Sequence, residues 1–317
     1  DKDITPEDHI PCGYSGICSN GKMLLLSTVC RKNGGDIIYT STDSGESWKI
    51  IMNRLEYSRF DWNIPYMKPR YNGGGNCVHW ISDIKLSPFD SDTALFNTGT
   101  GLFMITGLAS GDVLVKPFCE GIEETVHLNV YTTPHGRNRI IDIIGDLGGF
   151  AFEDYDSECE NSFANENGDR YITCLNADLT LSDPEYIVAT PRGNWTGKTK
   201  GGLILSKDCG STWERLPMPH GLSESIDKKL DNIEKPNVDS GWTAISADGK
   251  RIMWAVAGGK GFSNKAVCYT DDEGESWQKS VFMDCKGNSA DEHNVKIFSD
   301  YYNSDLFLSL IHISEPT

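Results

Sequence analysis

The sequence predicts an all-β fold assembled from repeated hairpins, and two observations carry that reading. The first is an eight-residue motif that occurs three times. Ser41-Thr42-Asp43-Ser44-Gly45-Glu46-Ser47-Trp48, Ser206-Lys207-Asp208-Cys209-Gly210-Ser211-Thr212-Trp213 and Thr270-Asp271-Asp272-Glu273-Gly274-Glu275-Ser276-Trp277 all fit Ser/Thr-x-Asp-x-Gly-x-Ser/Thr-Trp. The second is a half-repeat of strand, polar turn and strand: residues 80–92 lead into 94–97, 181–185 into 186–189, and 243–250 into 251–256. Self-similarity of this kind is the signature of an architecture built by repetition.

Taken in order, the repeats place strand units near residues 9–51, 80–107, 126–154, 171–216 and 240–280, and the start of another from 293. Each copy of the eight-residue motif follows a short strand-like run, at 36–39, 202–205 and 266–269. The chemistry of the motif is that of a fixed turn. Its Asp accepts turn amide hydrogens, its Gly takes the strained backbone position, and its Trp packs between strands. Segment 55–76 between the first two units is not repeat-like and carries Trp62, Tyr66, Tyr71 and Gly73-Gly74-Gly75. Segment 221–240 is polar with five acids, Glu224, Asp227, Asp231, Glu234 and Asp239, and reads as a solvated surface insertion.

The repeated motif resembles the Asp-box, or bacterial neuraminidase repeat, found at hairpins of β-propeller blades. That resemblance implies a β-propeller in which Asp43, Asp208 and Asp272 carry the fold rather than the chemistry. A propeller closes by radial repetition. Five blades and part of a sixth are therefore expected to be incomplete, and the chain, which has no initiator Met, is expected to begin inside a longer protein. The last ten residues, 308–317, resemble the translation of a sequencing adapter and are expected to be foreign.

Composition narrows the function classes. The 317 residues include 29 Lys plus Arg against 46 Asp plus Glu, a net charge of −17. Nucleic acid and anionic membrane both want a basic surface, so neither is expected as partner and a neutral ligand is favoured. No stretch approaches the roughly 20 apolar residues of a membrane span, and the first residues lack the basic start and apolar run of a signal peptide. Ten cysteines and the sequon Asn194-Trp195-Thr196 lean toward an oxidising, extracellular setting. The cysteines include no Cys-x-x-Cys pair, so no zinc cluster, metal or other cofactor is expected, and their pairing cannot be assigned.

One acid stands apart from the repeated turns. Ile140-Ile141-Asp142-Ile143-Ile144-Gly145-Asp146-Leu147-Gly148-Gly149-Phe150 is an apolar β-run ending in Asp146 with glycines on either side. Such an acid sits where a strand stops and the chain turns sharply, a place from which it can face a cleft, although the same string also suits an ordinary tight turn. Asp142 alternates onto the same strand face, either tuning Asp146 or facing solvent. Glu123, Glu124 and His79 are weaker candidates. Trp62, Tyr66, Trp80, Trp195 and Trp242 lie outside the repeated motif and either stack on sugar rings or pack between sheets.

The order of the remaining motifs resembles glycoside hydrolase family 74: Trp80-Ile81-x-x-Ile84-x-x-x-Pro88-Phe89-Asp90-Ser91-Asp92, Thr98-Gly99-Thr100-Gly101, Gly121-Ile122-Glu123-Glu124-Thr125-Val126, Gly145-Asp146-Leu147-Gly148-Gly149-Phe150 and Ser246-Ala247-Asp248-Gly249. The family contains xyloglucan-active endo-β-1,4-glucanases and oligoxyloglucan cellobiohydrolases. The resemblance implies two tandem seven-bladed propellers flanking an open cleft, and inverting hydrolysis of a polysaccharide by one Asp from each. On it, residues 1–54 end the first propeller, 55–79 connect, and 80–307 begin the second. Asp146 falls at the position of the second propeller's carboxylate, read here as the general acid with the base role open. Its partner belongs to an Asp-x-Gly-Gly turn in the N-terminal propeller absent from this chain, so the chain by itself is expected to be inactive. The alternative is a non-catalytic Asp-box propeller that binds a glycan or protein. A sialidase would need an Arg-Ile-Pro type motif, which the sequence lacks.

Overall fold

A computed structural model describes residues 2–7, 12–30, 35–52, 59–61, 64–67, 80–122, 125–159, 162–259, 266–281, 283, 286–288 and 295–311. The chain forms two compact units, residues 1–125 and 126–317. Both are built from sheets whose strands follow one another in sequence, antiparallel except between the strands Gly148–Phe152 and Thr173–Leu179 of the second.

In the first unit, β1 (Gly13–Ser19), β2 (Leu24–Val29), β3 (Ile38–Ser41) and β4 (Lys49–Met52) form one sheet, and β5 (Asp83–Leu86), β6 (Ala94–Thr98), β7 (Gly101–Thr106) and β8 (Leu114–Pro117) a second. The repeat pattern places this second unit at 80–107, so β8 lies beyond the expected end. One core joins the two sheets, with Leu25, Ile38 and Met52 from one and Ile84, Phe96, Phe103 and Val115 from the other, all buried. Of the segment expected as a connection, 55–79, the described residues 59–61 and 64–67 belong to this unit. There Phe60 bridges Val115, and the Tyr66 hydroxyl lies 3.4 Å from the Cys119 sulfur.

In the second unit, β9 (Val126–Thr132), β10 (Ile140–Gly145) and β11 (Gly148–Phe152) join β12 (Thr173–Leu179), β13 (Ile187–Arg192), β14 (Ile204–Ser206) and β15 (Glu214–Arg215). The two meanders meet at a single parallel pair, Gly148 with Thr173. A four-stranded sheet follows, β16 (Asp239–Ile245), β17 (Ile252–Gly259), β18 (Ala266–Thr270) and β19 (Gln278–Lys279), and then a pair, β20 (Val295–Ser299) and β21 (Phe307–Ile311). Residues 308–311 of the segment expected to be foreign thus pair as a strand, and 312–317 lie outside the described residues.

Several of these sheets bury both faces, which is why their strands read as unbroken apolar runs rather than alternations. Along β17, Ile252 to Ala257 are all buried. One face meets Ala244, Val267, Val295 and Ile297, and the other meets Val188, Leu205 and Leu216.

The polar insertion at 221–240 is not simply solvated. It holds helix α1 (Glu224–Ile233), started by Ser223, whose hydroxyl accepts the Ile226 N–H at 3.3 Å. Ile226, Leu230 and Ile233 fall on one face at helical spacing and are fully buried against the β17 core. Each contributes about 1.5–3 kcal/mol by leaving water. Glu224, Asp227, Asp231 and Glu234 lie on or beside the outer face of the helix, and Asp239 is buried at the start of β16.

The three repeated turns are built alike. In the second, Ser206 Oγ donates to Asp208 Oδ1 (2.8 Å) and accepts the Gly210 N–H (2.8 Å), while Asp208 accepts from the Thr212 N–H (2.8 Å) and hydroxyl (2.6 Å). The same bonds recur around Asp43 and Asp272. The residue before each motif Gly is left-handed: Ser44, Cys209 and Glu273. Hydrogen bonds from Ser47 and Ser41 hold Asp43 down to about 2, and donors from Ser276 and Thr270 lower Asp272 likewise. At Asp208 burial pushes the other way, and the donors around it still win. Acids saturated with donors in this way are turn locks.

Neighbouring sheets are tied by side chains that take up the backbone of the next first strand. Asn176 Oδ1 accepts the Thr243 N–H (2.6 Å), Asp178 Oδ2 the Ile245 N–H (2.9 Å), and Thr190 Oγ1 donates to the Gly241 carbonyl (2.8 Å). Asp178 also accepts from Ser299 Oγ at 2.7 Å, so it touches three sheets. In the first unit Asp36 accepts the Ile81 N–H at 3.2 Å.

Two predictions follow from these bonds. Ser206→Ala strands the buried Gly210 N–H and should cost about 1–3 kcal/mol in denaturant unfolding, whereas Thr212→Ala, which removes an exposed bond, should cost clearly less; equal losses contradict the assignment. Burial pushes Asp178 up to about 6 against the donors Ile245, Ser299 and Leu179. A raised folded-state value means a stability contribution that is complete below about pH 4 and lost as pH rises through 6, about 3 kcal/mol in all. The stability of the wild type relative to Asp178→Asn should therefore fall between pH 4 and pH 7. A difference that does not move with pH contradicts this.

Candidate active site

Asp146 stands at the tip of the β10–β11 hairpin. Ile141, Ile143 and Ile144 anchor β10 in the core, and the last cross-strand pair before the turn is Ile144 with Gly148. Between them Gly145, Asp146 and Leu147 reverse the chain, Leu147 buried and Asp146 exposed. Asp146 has φ 61°, the left-handed region that Asp tolerates better than most residues but that still costs about 1–2 kcal/mol. Its backbone is held from outside the hairpin at both ends. The Asp146 N–H donates to Thr173 Oγ1 at 3.0 Å, and its carbonyl accepts from Arg170 Nη1 at 3.3 Å.

The flanking glycines have separate reasons. Gly148 is left-handed at φ 87°. At Gly149 a Cβ would come within 2.7 Å of both the Asp142 carbonyl and the Phe163 ring, so only glycine lets β11 lie against the segment that follows it. That segment closes on the hairpin through Phe163 N–H to the Gly149 carbonyl (2.9 Å) and Gly148 N–H to the Ile172 carbonyl (3.1 Å).

Asp142 does not face solvent. It is 6% exposed and meets His127 Nδ1 of β9 at 2.9 Å. Burial raises its carboxyl, and the His127 contact opposes that rise. The repeated-turn acids lie elsewhere. Asn138, at the start of β10, bonds the Cys209 carbonyl and Ser211 Oγ of the second repeated turn. Asp146 is eight residues further along an extended chain, roughly 25 Å away at the rise of a strand, so Asp208 sits at the opposite end of the hairpin from Asp146.

The aromatic candidates separate by environment. Trp195 is 64% exposed on the loop after β13, and Trp80 is 62% exposed, its ring against Gly99. Trp242 is partly buried against the β16–β18 core, edge-on to Phe298 at 6.0 Å and under Lys296 Nζ at 4.6 Å. Tyr66 is packed beside the core of the first unit. Trp62, His79, Glu123 and Glu124 lie outside the described residues. The structure joins Asp146 to Arg170, Thr173 and, through Arg170, to Asn194, whose Nδ2 donates to the Arg170 carbonyl at 3.0 Å. These three were not legible as site residues, because each is chosen by a contact between hairpins that no local motif encodes.

Cys18, Cys30, Cys119, Cys174, Cys209 and Cys268 are free thiols. Among the described residues no three His, Cys, Asp or Glu side chains are placed to hold a metal ion. No described helix is long and apolar enough to cross a membrane.

No protein-family model matches the chain. It is 24% identical over 323 residues to a xyloglucanase from a Paenibacillus species, covering 93% of this chain and 28% of that protein. To a xyloglucanase of Acetivibrio thermocellus it is 25% identical over 336 residues, covering 97% of this chain and 36% of the relative. The chain thus spans about a third of the length of these curated relatives. The structure of a family 74 xyloglucanase from Xanthomonas campestris superposes with TM-score 0.68 at 21% identity, over 95% of this chain and 38% of that one. A Niastella koreensis family 74 enzyme gives 0.68 at 20% identity, over 96% and 39%. The chain is therefore related in sequence to xyloglucanases and shares its fold with glycoside hydrolase family 74 enzymes.

Proposed function

We propose that this chain is part of an extracellular glycoside hydrolase that cleaves the β-1,4-glucan backbone of xyloglucan. The observation that carries the reading is the similarity to xyloglucanases across nearly the whole chain, with an exposed, doubly held acid, Asp146, at the one glycine-flanked strand end the resemblance singles out. A net charge of −17 suits a neutral polymer. A polymer of that size is met outside the cell, which favours a secreted protein.

In this reading the antiparallel sheets are propeller blades. Hydrolysis inverts the anomeric centre: one carboxylic acid protonates the leaving oxygen while a second carboxylate activates water, the two roughly 6.5–9.5 Å apart. Asp146 takes the proton-donor role. The water-activating partner lies in a part of the protein outside this chain, and the chain alone is inactive. Trp195 offers an exposed ring on the loop linked to Asp146 through Asn194 and Arg170, suited to stack on a sugar.

The test is Asp146→Ala in the complete protein. Xyloglucan cleavage should fall on the order of 10²–10⁴-fold, the usual worth of a general acid. The loss should be smaller on aryl glycosides whose leaving groups need no proton. Undiminished cleavage of xyloglucan removes Asp146 from the mechanism, and an equal loss on both substrates contradicts the donor role.

A further inference from the structure

We propose that Asn194 is a positioning residue for Asp146, acting through Arg170; the proposal rests on the reading of Asp146 as a catalytic acid. Asp146 is held left-handed in an exposed turn, a conformation that persists only where its surroundings fix it. Thr173 on β12 fixes its N–H from a buried position. The carbonyl is fixed by Arg170, a long side chain with many rotamers on a connecting segment, so that hold is only as firm as the backbone of residue 170.

That backbone is bridged to Ala164 within its own segment and held from outside by the loop after β13. Asn194 Nδ2 donates to the Arg170 carbonyl (3.0 Å), and Thr199 Oγ1 donates to the Asp169 carbonyl beside it (3.0 Å). The loop is closed on itself by Asn194 N–H to the Thr199 carbonyl (3.0 Å), Gly197 N–H to the Asn194 carbonyl (2.9 Å) and Thr196 N–H to Asn194 Oδ1 (3.1 Å). Asn194 is thus the one side chain that both locks the loop and reaches across to the segment holding the acid. Its amide has two jobs, an acceptor for the loop and a donor for Arg170, and of the side chains of its size only Asn supplies both. The Asn of the sequon therefore has a role inside the fold. The same loop carries the exposed Trp195, so acid and aromatic ring share one support.

The experiment uses the complete protein, with xyloglucan as substrate. Asn194→Asp keeps the size and the loop acceptor but removes the donor to Arg170. It should lower kcat on the order of tenfold or more with KM unchanged, since small misplacement of a catalytic group is costly. Arg170→Ala should give a similar kcat loss, and the double variant no more than the larger single loss, because both act along one path. Wild-type kcat in Asn194→Asp, or losses that multiply in the double variant, overturns the proposal. Asp146→Ala in the same assay separates the two readings. If it is inactive while Asn194→Asp is fully active, only this proposal fails; if it is active, the functional reading fails and takes this proposal with it.

Discussion

The edge strand β16 turns amides and carbonyls toward the inside of the molecule, and those groups have to be met by something other than another strand. A buried backbone group without a partner costs about as much as several ordinary interactions contribute. Here the partners are side chains of the neighbouring hairpin. Asn176, Asp178 and Thr190 serve β16, and Asp36 serves the residue leading into β5. The contacts of Thr173 and Arg170 with Asp146 are the same device applied to a turn. The apolar cores hold the sheets together, but these directional bonds set how one sheet sits against the next.

The placement of Asp146 follows from that constraint. Were the β10–β11 hairpin free, its tip would choose among several turn conformations, since Gly145 and Gly148 relax the backbone on either side. The outside bonds remove that freedom while leaving the carboxylate exposed. Rigidity thus comes from the supporting strand and exposure from the turn, a division that suits an acid required to meet a bulky chain. Buried Asp142 and exposed His127, lower in the same sheet, form a pair that secures β9 to β10.

Much of this was legible in the sequence. The Asp, Gly and Trp of the repeated motif are each chosen by local turn chemistry, so three copies located three hairpins. The glycines around Asp146 marked a tight strand end, although the reason at Gly149 is contact with Phe163 rather than φ. What was not legible depends on contacts far apart in sequence. Helix α1 was hidden because its three buried residues are outnumbered by charges on the outer face. Trp195 and Trp242 look equivalent as letters, and only packing against Phe298 and Lys296 sets the second apart from the first. Asn194 read as a sequon because its bond to Arg170 crosses between hairpins.

The account turns on side chains standing in for strand partners at hairpin edges. Amide hydrogen exchange read residue by residue at Thr243, Ile245 and Asp146 tests this most directly, since none of the three N–H groups donates to a backbone carbonyl of a neighbouring strand across these edges, only to Asn176, Asp178 and Thr173. The account predicts slow exchange at all three, comparable to the paired amides of β17. Exchange at the rate of an unstructured peptide at these positions would contradict it.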